Sequence, residues 1–137
     1  MKILVFNGSQ KKEKSDTMRI TRVFLDGMEE AAPQKIHTID VSDRLIEFCR
    51  GCFACVYNGG RCVIDDDMQE ILEQMVACDL LLFSYPLYCY GMPAVLKNLI
   101  ERTLPLSSMA MAEVDGRYVH VGQRDYSHLR YLILFPD

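Results

Sequence analysis

Apolar residues in this chain come in short continuous runs, separated by stretches where they recur every three or four positions. Residues 2–6 (KILVF) form the first run, and Asn7-Gly8-Ser9 ends it. That pattern predicts a buried strand closing in a tight turn. Residues 10–15 are polar and read as a loop. From Ser15 or Asp16 to about residue 30 a helix is predicted, with Met18, Val23, Phe24 and Met28 on its core face, and Pro33 stops it. Residues 35–41 (KIHTIDV) alternate as a half-covered second strand. A second helix is expected from the acidic triplet Asp65-Asp66-Asp67 to about Ala77, with the three acids as a solvated cap on the positive end of its dipole.

Residues 79–85 (DLLLFSY) give the strongest strand signal, continuous and bounded, as in a sheet covered on both faces. A loop at 86–92 leads to a third helix at 93–103, opened by Pro93. Residues 105–127 show no clear periodicity and read as a long irregular, potentially functional segment. Residues 129–135 (LRYLILF) form a last, buried-looking strand. Strands alternating with helices predict an α/β fold, a doubly wound and mostly parallel sheet with right-handed crossovers. At 137 residues one domain is expected. A chain ending on an apolar strand with no covering helix leaves a sticky edge. We expect a domain shortened at its C-terminus, the first part of a longer protein, rather than an edge paired with another subunit.

Composition narrows the function. A formal charge of −4 argues against nucleic-acid and anionic-membrane partners. No apolar run reaches membrane-spanning length, and the N-terminus lacks a signal-peptide pattern, so a cytoplasmic location is expected. There cysteines stay reduced. Four of the six fall in residues 49–62, CRGCFACVYNGGRC, as C-x2-C-x2-C-x6-C. Such spacing suits a metal or iron–sulfur centre held by Cys49, Cys52, Cys55 and Cys62. Zinc favours two separated CxxC pairs instead. A reversible disulfide (Cys52 with Cys55, or Cys49 with Cys52) and a loop holding no metal also stay open.

Ligands of open parallel sheets bind at the carboxyl ends of the strands, and three loops lie there. Residues 8–17 bring hydroxyls to a helix N-terminus, which suits phosphate or a simple N-cap. Neither G-x-G-x-x-G nor G-x4-G-K-[ST] is present. Residues 86–92 (PLYCYGM) carry aromatics that suit a flat ring or merely cover the sheet end. The cysteine loop is expected on the same rim. Cys78 reads as core and Cys89 as packing. His37, His120 and His128 lack catalytic partners, and Arg102 is read as serving its helix dipole.

Three segments together resemble one family. GSQKKEKSDT resembles the GSPRxxGNT phosphate loop of flavodoxin-like NADPH-dependent FMN reductases, and SYPLYCYGMPAVLKNLIER their "sPvYfgs.pa.lK.fiDR" segment. CRGCFACVYNGGRCVIDDDM resembles the C-x2-C-x2-C-x4–7-C-xxx-DDM insertion of the iron–sulfur flavoprotein branch. The resemblance implies strand order 2-1-3-4-5, here without strand five and the last helices, and non-covalent FMN. Ser9, Lys11, Ser15 and Thr17 would hold its phosphate. Pro86, Leu87, Tyr88, Tyr90 and Gly91 would line its ring. Gln10 stands where the family has proline, and Ser15-Asp16 where it has Gly-Asn. An aspartate beside phosphate is tolerable only if its carboxylate points away.

The resemblance further implies that Cys49, Cys52, Cys55 and Cys62 ligate a 4Fe-4S cluster exchanging single electrons with FMN. The implied function is an oxidoreductase moving electrons between NAD(P)H or ferredoxin and a small acceptor, with no catalytic side chain, in a homodimer or homotetramer. An electron-transfer module without its own substrate and a cysteine-based redox or metal sensor are the alternatives.

Overall fold

The computed structural model describes residues 1–134. Four parallel strands make the main sheet: β1 (Lys2–Asn7), β2 (Lys35–Asp40), β3 (Leu80–Ser84) and β6 (Arg130–Leu134), in the order β2-β1-β3-β6. Counting sheet strands alone, this is the expected 2-1-3-4. Strand β1 pairs on both sides, Ile3 opposite Ile36 and Leu80, and its residues after Lys2 are all buried. Alternation then divides the core in two. Ile3 and Val5 pack with Leu80 and Leu82 against Met18 and Leu25 of helix α1 (Asp16–Ala31). Leu4 and Phe6 face the other way, onto α3 (Met68–Ala77) and α4 (Ala94–Glu101) through Met68, Ile71, Leu72, Leu96 and Leu99. Helices on both faces explain why the central strands read as unbroken apolar runs.

Several expectations are corrected. The buried face of α1 runs through Thr17, Met18, Thr21 and Leu25, while Val23 is 74% exposed and Phe24 lies on the outer side. A helix of 3.6 residues per turn cannot bury both Met18 and Val23 on one stripe, and small hydroxyl residues supply the face instead; Thr21 Oγ1 donates to Ser84 Oγ of β3 at 2.8 Å. The segment 105–127 is not irregular. It holds an antiparallel hairpin, β4 (Ser107–Val114) and β5 (Arg117–Gly122), turning through Asp115 and Gly116, both at positive φ. Apolar residues on both of its faces hid the period-2 signal. The last strand is an edge, with Leu132 and Leu134 packed inward but Tyr131 and Ile133 exposed. Phe135, assigned to that strand from the sequence, lies outside the described residues.

Candidate functional site

The loop after β1 is wound tightly. Asn7 is buried, its Nδ2 donating to Asp40 Oδ1 of β2 at 2.7 Å and its Oδ1 accepting from the Ser9 N–H. Ser9 Oγ accepts from the Lys11 N–H, and Ser15 caps α1 by accepting from the Met18 N–H at 3.1 Å. Ser9, Ser15 and Thr17 are all buried and Lys11 is exposed. Three buried hydroxyls at the N-terminus of a 16-residue helix are a donor set that fits an anion. The Asp16 carboxylate lies outside this set, 77% exposed and paired with Arg19 at 3.2 Å. Gly8 is required by space: an added Cβ would stand 3.0 Å from Tyr85 Cβ.

After β3, Pro86 and Leu87 lead into a two-residue turn. Tyr88 and Gly91 exchange both backbone hydrogen bonds (2.8 and 3.0 Å) around Cys89 at φ 49° and Tyr90 at φ 64°. Two consecutive positive φ angles make a type I′ turn, which asparagine and glycine favour. Neither residue here is one of those, so about 1–3 kcal/mol of strain per residue is held in the turn. It presents the Tyr90 ring wholly to solvent and Tyr88 at 49% exposure, a geometry suited to lying against a planar ligand.

The cysteine segment begins after β2. Phe53, at φ 54°, turns the chain into one helical turn, α2 (Ala54–Tyr57), and Gly59 and Gly60 leave it at positive φ. Cys49, Cys52, Cys55 and Cys62 line one small pocket together with Arg50, Phe53, Arg102 and Pro105. Cys55 is buried; burial pushes its thiol pKa up, as do nearby Cys62 and Cys49. Among the described residues no three His, Cys, Asp or Glu side chains gather tightly enough to enclose a single ion.

Arg102 closes this segment. It is not a solvated dipole partner at a helix end but a side chain 1% exposed, and Asp66 is no solvated cap, its side chain 0% exposed. Arg102 Nη1 and Nη2 donate to the two Asp66 oxygens at 2.6 and 3.0 Å. Nη1 also reaches the Glu47 carbonyl at 2.5 Å, and Nη2 the Cys62 Sγ at 3.6 Å. One turn earlier Asn98 donates to the Ile46 carbonyl at 2.7 Å, while Asp66 and Asp67 accept from the Glu47 and Leu45 N–H groups. Both ends of the cysteine segment are thus stitched to α4. Burial alone would raise the Asp66 pKa, but the Arg102 hydrogen bonds and two backbone N–H donors hold it below the usual carboxylate value. Sequence reasoning missed this cluster, because Arg102 and Asp66 lie 36 positions apart.

The pocket and the flavin-type loops share no lining residue. Helix α4 links them: Leu96 and Tyr85 crowd Gly8 at one end, and Glu101 and Arg102 line the cysteine pocket at the other.

Residues 1–124 match the family model described as NADPH-dependent FMN reductase. The chain belongs to this family. It is 32% identical over 108 residues to an iron–sulfur flavoprotein of Methanocaldococcus jannaschii, covering 77% of this chain and 53% of that one. A Methanosarcina thermophila iron–sulfur flavoprotein is 37% identical over 87 residues, covering 62% and 45%. The chain thus spans about half the length of these curated relatives. Among solved structures, an FMN-dependent NADH-azoreductase from Bacillus anthracis in complex with FMN superposes with a TM-score of 0.64 at 17% identity, over 97% of this chain and 67% of that one. A NAD(P)H:quinone oxidoreductase from Methanothermobacter marburgensis gives 0.61 at 22% identity, over 76% and 53%. At such identities the likeness establishes a shared flavodoxin-like fold. No described helix is long and apolar enough to cross a membrane.

Gly60 tests the pocket's construction. Its φ is +76°, and an added Cβ would meet the Pro105 carbonyl oxygen at 2.8 Å. Gly60→Ala is expected to cost about 1–3 kcal/mol, which thermal melts check.

Proposed function

We propose that the chain is an FMN-dependent oxidoreductase whose cysteine pocket holds a 4Fe-4S cluster, moving electrons between NAD(P)H or ferredoxin and a small acceptor. The observation that carries the reading is the convergence of all four cysteines on one pocket backed by a buried arginine, within an FMN reductase scaffold. FMN, when bound, takes up a hydride and gives out single electrons, which makes it the adapter between the two kinds of carrier. Ser9, Ser15 and Thr17, with Lys11 at the rim, hold the phosphate. Pro86, Leu87, Tyr88, Tyr90 and Gly91 orient the ring and shield it from water. Cys49, Cys52, Cys55 and Cys62 supply four thiolates, the full ligand set of such a cluster.

The hairpin supports assembly of copies. Met109, Met111, Val114, Tyr118, Val119 and Val121 are all over 40% exposed on β4 and β5, and a lone two-stranded hairpin is marginal in water. A cytoplasmic homodimer or homotetramer covering it completes the proposal.

Anaerobic purification followed by an absorption spectrum and iron, sulfide and flavin analysis tests the reading. Flavin together with iron and acid-labile sulfide is expected, and zinc without iron would sink the cluster. Absence of NAD(P)H oxidation with added FMN would sink the reductase activity. The strained turn gives a further check. Replacing Cys89-Tyr90 by Asn-Gly relieves the positive-φ strain, so thermal stability is expected to rise by about 1–2 kcal/mol. FMN affinity, measured by fluorescence quenching, is expected to fall about tenfold, a loss of about 1.4 kcal/mol, as the Tyr90 ring is removed.

A further inference from the structure

Arg102 has one more hydrogen-bond donor than the described residues use. A guanidinium carries five N–H groups. On Nη1 the two hydrogens serve Asp66 and the Glu47 carbonyl; on Nη2 they serve Asp66 and the Cys62 sulfur. The fifth, on Nε, is buried and has no partner among the described residues. Leaving such a donor without an acceptor is unfavourable, so its persistence beside a ligand pocket points to an acceptor outside the described residues. The residue walls the pocket that the four cysteines line.

We propose that Arg102 is a positioning residue of the metal centre, which hydrogen-bonds the Cys62 thiolate through Nη2 and the bound cluster's own sulfur through Nε, raising the centre's reduction potential. The inference rests on the cluster reading above. Its physical basis is that a donor aimed at sulfur stabilises the more negative, reduced state more than the oxidised one. Asp66 cancels the net charge of Arg102 and fixes the fork, so the effect comes from directed N–H groups. The stapling of residues 47 and 66 to α4 accounts for the terminal nitrogens of Arg102 but not for Nε. An ion pair alone could sit at the surface, and the Glu47 and Asp66 contacts occupy only three of the five donors.

The test uses anaerobically prepared holoprotein and an EPR-monitored reductive titration with dithionite as the electron donor. Arg102→Lys keeps the charge facing Asp66 but lacks the fork and Nε. The double variant Asp66→Asn/Arg102→Gln removes both charges together and leaves neither orphaned. With iron retained, both variants are expected to shift the oxidised-to-reduced ratio about tenfold toward oxidised, a fall of about 59 mV for a one-electron couple. An unchanged midpoint in iron-replete variants would overturn the proposal, because a purely structural staple moves stability and not potential. The wild-type protein gives an independent readout that needs no variant to fold. With 15N-labelled arginine, the reduced centre is expected to show a hyperfine-coupled arginine nitrogen and an exchangeable proton lost in D2O. Absence of both would overturn the proposal. Wild-type protein lacking iron would instead overturn the cluster reading itself, so the two failures are distinguishable.

Discussion

Replacing Asp66 by asparagine is expected to destabilise the protein by about 3–5 kcal/mol, as removal of one partner of a buried ion pair does. The carboxylate is wholly buried, bound by two guanidinium nitrogens, and accepts from the Glu47 and Met68 N–H groups. Asparagine has similar volume but leaves the Arg102 charge desolvated and uncompensated. For a chain of this length the loss corresponds to about 10–20 °C in melting temperature. A companion variant, Asp66→Leu/Arg102→Met, is expected to recover most of it, since a buried pair replaced by apolar groups is often neutral. The acid limb of the stability profile carries the same signature. The Asp66 pKa lies below its unfolded value of about 3.9 in the folded protein. Its contribution is therefore complete above the unfolded pKa and disappears as pH falls through the folded one. Urea melts from pH 7 downward should show a loss below about pH 4 that Asp66→Asn lacks. An equal acid limb in the variant would show that other carboxylates carry it.

The fold was legible wherever one residue pattern had one outcome. Ile3 to Phe6 and Leu80 to Leu82 are buried on both faces, and no helix of that length could hide so many apolar side chains, so the parallel sheet followed. The hairpin was not legible because its faces carry apolar residues on both sides, which erases alternation. Helix α1 misled for a related reason. Thr17 and Thr21 fill its core face while Val23 and Phe24 face outward, so hydrophobicity and burial disagree. The grouping of the four cysteines could be seen because thiols at close spacing are rare; what surrounds them could not. Arg102 and Asp66 are 36 positions apart, each beside a helix end where a charge has a bland explanation. Only the three-dimensional path of residues 45–67 shows that they meet.

The cysteine pocket shares no lining residue with the loops at 8–17 and 86–92, which makes the last expectation sharp. Serine at Cys55 or Cys62 is expected to abolish bound iron while leaving FMN content near that of the wild-type protein. Cys55 is the buried member of the set, and its carbonyl receives the Gly60 N–H that shapes the loop. Cys62 is the one held by Arg102. A serine hydroxyl is a hard, weakly acidic oxygen in place of a soft thiolate, so it is a much poorer cluster ligand at neutral pH. The flavin-type residues at 8–17 and 86–92 line no part of this pocket, so flavin retention should survive. Cys49→Ser and Cys52→Ser, on the exposed part of the loop, are expected to lose iron as well. Cys78→Ser is the control: its sulfur is in the core and donates to the Met75 carbonyl at 3.2 Å, a bond that a hydroxyl can replace. Iron, sulfide and flavin per chain, measured on anaerobic preparations of all five, decide the matter. Parallel loss of iron and flavin would show that the two sites depend on each other through α4. Iron retained in Cys55→Ser and Cys62→Ser would mean that this pocket is not where the metal binds.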